Sequence, residues 1–194
     1  MTDKQVLAFF GIEDINDLPG AVSNLLKQDL ETRNKTYQEL IRLNNNDMSY
    51  DWFQQVYEKE LAQRKKSGQD FTPVEVSKLT SLLTGTPKGW IHEPTAGTGG
   101  LVIADWWNRC SKGLPWEHSP HEHMVSCWEL SNRSIPILLL NLSIRGIMGY
   151  VYHGDVLTQE VKMKYVLLNR KSDTLGFSEV IEDPDNKLTI KQKT

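Results

Sequence analysis

The sequence predicts an α/β domain behind a helical amino-terminal region, and three patterns predict it. Through residues 1–70, apolar side chains recur at spacings of three and four. From Phe71 onward, short apolar runs alternate with helical stretches. Between the first strand-like run and the helix after it lies "HEPTAGTGG", His92 to Gly100, a loop of small residues.

The helical region is assigned to residues 1–67. Its apolar positions are Leu25, Leu26 and Leu30, then Tyr37, Leu40, Ile41 and Leu43, then Trp52, Phe53, Val56, Tyr57 and Leu61. "RLNNNDMSYD" separates these groups with turn formers, and "RKKSGQDFTP" ends the last helix, around Tyr50 to Lys66, with basic residues and a glycine. The α/β domain is assigned to residues 68–194. "GWIHE" reads as a strand, "GGLVIADWWNRCS" as a helix, "MVSCWEL" as a strand and "RSIPILLLNLSIRG" as a helix, followed by "GYVYHGD" and "KYVLLN" as strands. That alternation argues a largely parallel sheet. The tail "EDPDNKLTIKQKT" reads as loose.

Composition narrows the function classes. The 194 residues carry 22 basic and 25 acidic side chains, a net charge of −3, so charge alone announces no nucleic-acid partner. Two cysteines, Cys110 and Cys127, in no short pairing motif, fit a reducing cytoplasm better than a disulfide-stapled secreted chain. No apolar stretch approaches membrane-spanning length, and the start has acidic flanks unlike a signal peptide, so the expected location is cytoplasmic and away from membrane.

The glycine-rich loop carries the chemistry. Placed between a strand ending in Glu93 and a helix opening at Leu101, it is the first strand-to-helix turn of a doubly wound sheet, where ligands bind. Gly97 and Gly99 let backbone approach a ligand, and the helix start presents free N–H groups. The Lys-Ser/Thr pair of a phosphate-binding loop is absent, and the dinucleotide spacing is absent too. A tight structural turn is the alternative. Against it stand Glu129, at the tip of the second strand and suited to ribose hydroxyls, and Asp155 at the tip of the third. Together with Glu93 they outline a nucleoside-like pocket without a pyrophosphate.

"GQDFTP", "EPTAGTGG", "ELSNRSIPILLLNLSIRGI" and "YHGDVL", in that order, resemble the motifs of N6-adenine DNA methyltransferases of the type I restriction-modification class. The likeness covers roughly residues 50–169 and includes the approach "YDWFQQVYEKELAQRKKSG". It implies an incomplete Rossmann-like methyltransferase core that binds S-adenosylmethionine, with DNA and a partner subunit of a restriction-modification system as the expected partners. By the same likeness Phe71, Thr72 and Pro73 line the methionine side. Glu93, Thr95, Gly97 and Gly99 surround the amino-acid part, Glu129 holds the ribose and Asp155 meets the adenine. Family members usually carry Asp where this chain has Glu93.

One motif departs from the family. There the strand after "GD" ends in Asn-Pro-Pro followed by Phe or Tyr, which accept and stack on a flipped-out adenine. Here Asn169, the position that the likeness makes catalytic, is followed by Arg170, Lys171 and Ser172, and the next aromatic is Phe177. The expectation is therefore a cofactor-binding relative without methyl transfer of its own, acting as regulator, decoy or subunit; an active N6-adenine methyltransferase completed by a partner is the alternative. His118, His121, His123 and Cys127 lie close in sequence, but in no standard zinc spacing, and no metal site is expected.

Overall fold

The computed structural model describes residues 1–56, 72–84, 88–114 and 117–190. Helix α1 (Asp3–Phe10) opens on a reciprocal cap between Thr2 and Gln5 and closes on Gly11 in the left-handed region. After a 3-10 turn at Ile15–Asp17, helix α2 (Leu18–Leu26) carries Pro19 in its first turn, where a missing N–H breaks no helical bond. Helix α3 (Leu30–Leu43) starts on the Asp29 carboxylate, which accepts the Thr32 N–H at 3.0 Å. Asn45 and Asn46 then reverse the chain with positive φ. Residues 54–56 are helical; beyond them the helix expected around Tyr50 to Lys66 lies outside the described residues.

Helix α4 (Val74–Thr84) packs along helix α5 (Gly100–Cys110): Ser81 donates to the Ala104 carbonyl, and Asn108 donates to the Ser81 carbonyl. The sheet holds β1 (Ile91–Glu93), β2 (Val125–Glu129), β3 (Gly149–Asp155), β4 (Glu160–Leu168) and β5 (Glu179–Asp183), in the order β1-β2-β3-β4-β5. β1, β2 and β3 are mutually parallel, whereas β4 and β5 are antiparallel to their neighbours.

A largely parallel sheet is therefore corrected to a mixed one. A parallel return needs a crossover of about a dozen residues or more. Only residues 156–159 separate β3 from β4, so a hairpin is the one connection available, and Gln159 turns it with φ 60°. The tail is corrected as well as far as Ile190, and residues 191–194 lie outside the described residues. Asp183 is buried, accepts the Lys187 and Leu188 N–H groups, and pairs with the buried Lys164 ammonium at 3.2 Å. Further along, the Ile190 N–H donates to the Tyr150 hydroxyl at 2.7 Å.

Helix α6 (Ser134–Ser143) lies at the centre, and every one of its mostly apolar residues is buried. Ile137, Leu140 and Ile144 face the amino-terminal helices, joining Val22, Leu25, Tyr37, Trp52 and Phe53. Ile135, Leu138, Leu139 and Leu142 face the sheet and α5, joining Val125, Cys127, Val151 and Val102. The two core clusters thus share one helix. None of the described helices is long and apolar enough to cross a membrane.

The close β2–β3 approach depends on Gly149. Its φ is 139°, and a Cβ there would sit 2.0 Å from the Val125 carbonyl oxygen. Gly149→Ala is expected to lower stability by about 2–3 kcal/mol, from backbone strain and forced strand separation, read as a lower urea midpoint.

Candidate functional site

At the carboxyl ends of the parallel strands the glycine-rich loop opens a cleft of about 470 Å³. Gly97 takes φ 55° and Gly99 φ 103°, values that let the chain fold back before α5 begins. The Ala96 N–H donates to the Trp128 carbonyl, tying the loop to the end of β2, and the Gly99 N–H donates to the Ala96 carbonyl, both at 2.8 Å. Gly99 itself serves packing: a Cβ there would lie 3.0 Å from Leu138 Cδ1 of α6.

Of the residues expected to form the site, Thr72, Thr95, Gly97, Glu129 and Asp155 line this one cleft. Glu93 lies beneath the loop, where its carboxylate accepts the Thr95 N–H at 3.0 Å and the Thr95 hydroxyl at 3.3 Å. Pro73 opens α4, its carbonyl taking the Ser77 N–H. Phe71 is outside the described residues.

Glu129 is the buried charge of the cleft. Its carboxylate accepts the Gly97 N–H at 2.8 Å and the Ser131 N–H at 2.7 Å, so it fixes the loop while keeping further lone pairs for a ligand. Burial raises its pKa, opposed by the Ser131 and Gly97 N–H groups. A carboxyl raised in the folded state stabilises the fold fully below its ordinary value of 4.5, and that contribution is lost as pH rises through the raised value. Glu129→Gln is therefore expected to flatten the fall in urea stability as pH rises above the ordinary carboxyl value of 4.5. Asp155 accepts the Leu157 N–H at 2.8 Å. Leu101, Leu130, Val156 and the exposed Leu157 supply apolar walls.

Among the described lining residues none is basic. Two carboxylates, a turn rich in N–H groups and apolar walls suit a ligand bearing hydroxyls and positive charge, and they do not suit a phosphate.

Asn169 does not belong to this site. β4 runs antiparallel, with Leu167 level with Gly149 at the start of β3. Asn169 thus lies at the opposite edge of the sheet, a β3 length of roughly 20 Å from Asp155. There Asn169 is buried and structural: it donates to the Asp173 carbonyl at 2.7 Å and accepts the Asp173 N–H at 3.1 Å. The hairpin thus keeps Asn169 out of the cleft that the other expected residues line. Arg170 forms two bonds to Glu179, at 2.7 and 2.8 Å, on that same far edge. Phe177 stacks edge-on against Tyr37, at 5.2 Å between centroids.

The histidines form no metal centre among the described residues. The His118 and His123 rings stack at 4.6 Å, and burial lowers His123 to about 4. His121 reaches Met148, while Cys127 lies within β2 and is buried in the core.

A polar cluster that sequence reasoning missed lies behind the loop. Asp51, wholly buried, accepts the Thr98 hydroxyl at 2.5 Å, the Asn141 amide at 2.8 Å and the Phe53 N–H at 2.9 Å. Burial raises its pKa against these donors and the more distant Arg145. Arg145 donates to the Asn141 side chain and carbonyl and to the Met48 and Tyr50 carbonyls, and it covers the Trp52 ring at 4.8 Å. One signal was available: Asn141 is a lone amide in the run "ILLLNL".

The family model described as N-6 DNA methylase matches residues 48–185. No curated protein and no solved structure matches the chain.

Proposed function

The chain belongs to the N-6 DNA methylase family, and from that premise we propose that it binds S-adenosylmethionine in the cleft while lacking methyl transfer of its own. The observation that carries the binding half is the pairing of a buried carboxylate, Glu129, with a left-handed Gly97 in a cleft lined by no basic side chain among the described residues. Glu129 accepts the ribose hydroxyls and Asp155 the adenine end. Thr72, Thr95 and the Gly97 turn enclose the amino-acid part, with Leu101, Leu130 and Val156 against the apolar surfaces. The cofactor, when bound, is a donor of an activated methyl group. The chain's own part is to orient it and to screen it from water.

The second half is supported by the far-edge position of Asn169 and by the missing Pro-Pro-aromatic turn. The family's proline-held turn and stacking ring are replaced here by Arg170, Lys171 and Ser172. The proposed role is that of a cofactor-binding regulator, decoy or subunit in a restriction-modification setting, in the cytoplasm, where DNA or a partner chain meets it.

Calorimetric titration with S-adenosylmethionine and S-adenosylhomocysteine tests the binding half. Saturable heat with one site is the expected result, and neither heat nor a thermal shift at ligand concentrations of about 1 mM, where even weak sites fill, rejects it. Glu129→Ala is expected to weaken binding by about 1.5–3 kcal/mol, the range for hydrogen bonds to a charged group.

A further inference from the structure

Thr98 stands between the two glycines of the loop, yet its side chain turns away from solvent, with 1% of the residue exposed. It is held at two points. Its hydroxyl donates to Asp51, and its carbonyl accepts from Asn141 at 2.8 Å. The same Asn141 amide nitrogen donates to Asp51, so a closed triangle of hydrogen bonds joins the loop, α6 and the segment after α3. Three residues past Asp51, Gln54 adds a second hold. It donates to the Thr72 carbonyl at 2.8 Å, and its oxygen would be 3.3 Å from a Cβ at Gly100. Both Gln54 and Thr72 line the cleft.

The cost of this arrangement is informative. A buried carboxylate is expensive even when well paired, and apolar side chains of similar volume commonly hold a fold at least as well. A charged cluster restricts geometry where apolar packing tolerates sliding, because hydrogen bonds fix distance and direction.

We propose that Thr98 and Asp51 are positioning residues for the cofactor: they fix the Gly97–Gly99 turn from behind and couple ligand binding in the cleft to the docking of the amino-terminal helices on α6. This rests on the cofactor reading above. Ligand that selects the held turn stabilises the docked helices, and docked helices tighten the ligand by the same factor.

The experiment compares the full chain with Thr98→Ser, which keeps the hydroxyl, and Thr98→Val, which keeps the shape. S-adenosylhomocysteine affinity is measured by calorimetry, the Gly97 and Gly99 amide resonances are recorded without ligand, and amide hydrogen exchange in α1–α3 is followed with and without ligand. Thr98→Ser is expected within about twofold of the unaltered chain, and Thr98→Val about tenfold weaker, the loss of one buried hydrogen bond. The glycine resonances move in Thr98→Val alone. Ligand slows exchange in α1–α3 of the unaltered chain and of Thr98→Ser, and does so less in Thr98→Val. Equal affinity for Thr98→Val and the unaltered chain overturns the positioning role and leaves the cofactor reading standing. No binding by the unaltered chain overturns both. Where Thr98→Val does not fold, Thr98→Ala, which leaves room for a water beside Asp51, is read against the same outcomes.

Discussion

Arg145→Met is expected to destabilise the protein by about 3–5 kcal/mol, the cost of breaking a buried charge cluster from one side. The guanidinium is fully enclosed, and burial draws its pKa down to about 10, an effect the Asp51 charge partly offsets. Methionine fills most of the volume but supplies no donor. The Met48, Tyr50 and Asn141 carbonyls lose their partner, and Asp51 is left without its nearest cation. Urea unfolding measures the loss. A double-mutant cycle with Asp51→Asn separates its parts: once the second charge is neutralised, the added effect of Arg145→Met is expected to shrink. Strict additivity of the two changes would show that Asp51 and Arg145 do not act as a unit. Because the cluster joins α6, the loop and the segment after α3, the loss is expected to be global rather than confined to one helix.

The second large effect is an absence of turnover. With S-adenosylmethionine carrying a labelled methyl group and adenine-containing duplex DNA, the chain alone is expected to leave no label in the DNA. A flipped adenine costs a few kcal/mol in lost stacking, which a pocket must return through stacking and through acceptors for the amine. The cleft carries its carboxylates on Glu129 and Asp155, while Asn169 is held to Asp173 at the opposite edge. Asn169→Ala is accordingly expected to lower stability through the orphaned Asp173 groups, with no change in ligand affinity. Label entering adenine with the chain alone would falsify this reading and restore the enzyme. Label entering only with an added partner chain would assign the missing acceptor and ring to that partner.

Some element boundaries were legible because they depend on local rules, whereas β4 starts at Glu160 rather than Lys164, and β5 and α4 were not read from the sequence. "GYVYHGD" is β3 residue for residue, and "RSIPILLLNLSIRG" contains the helix α6 that it was read as. The loop was legible for the same reason: small residues between a strand and a helix have few conformations open to them, and Gly97 and Gly99 adopt the positive φ their type favours. Thr95, Gly97, Glu129 and Asp155 meet in one cleft because strand tips of a parallel sheet share an edge, a regularity that sequence order carries, and Thr72 reaches it from the segment before α4.

Direction and partnership came from the tertiary fold. A strand reads the same in sequence whether it runs up or down the sheet, so Asn169 was assigned to the cleft edge until the short turn at 156–159 reversed β4 and carried it to the other side. The length of that turn was visible in the sequence; its consequence for a residue ten positions on was not. Asp51 and Arg145 are 94 residues apart and carry no shared motif. Each alone is an ordinary charged residue expected at the surface. They become a pair only when α6, caught between the helical layer and the sheet, excludes water from both and brings Asn141 between them, because burial makes each charge depend on the hydrogen bonds that neighbours distant in sequence supply.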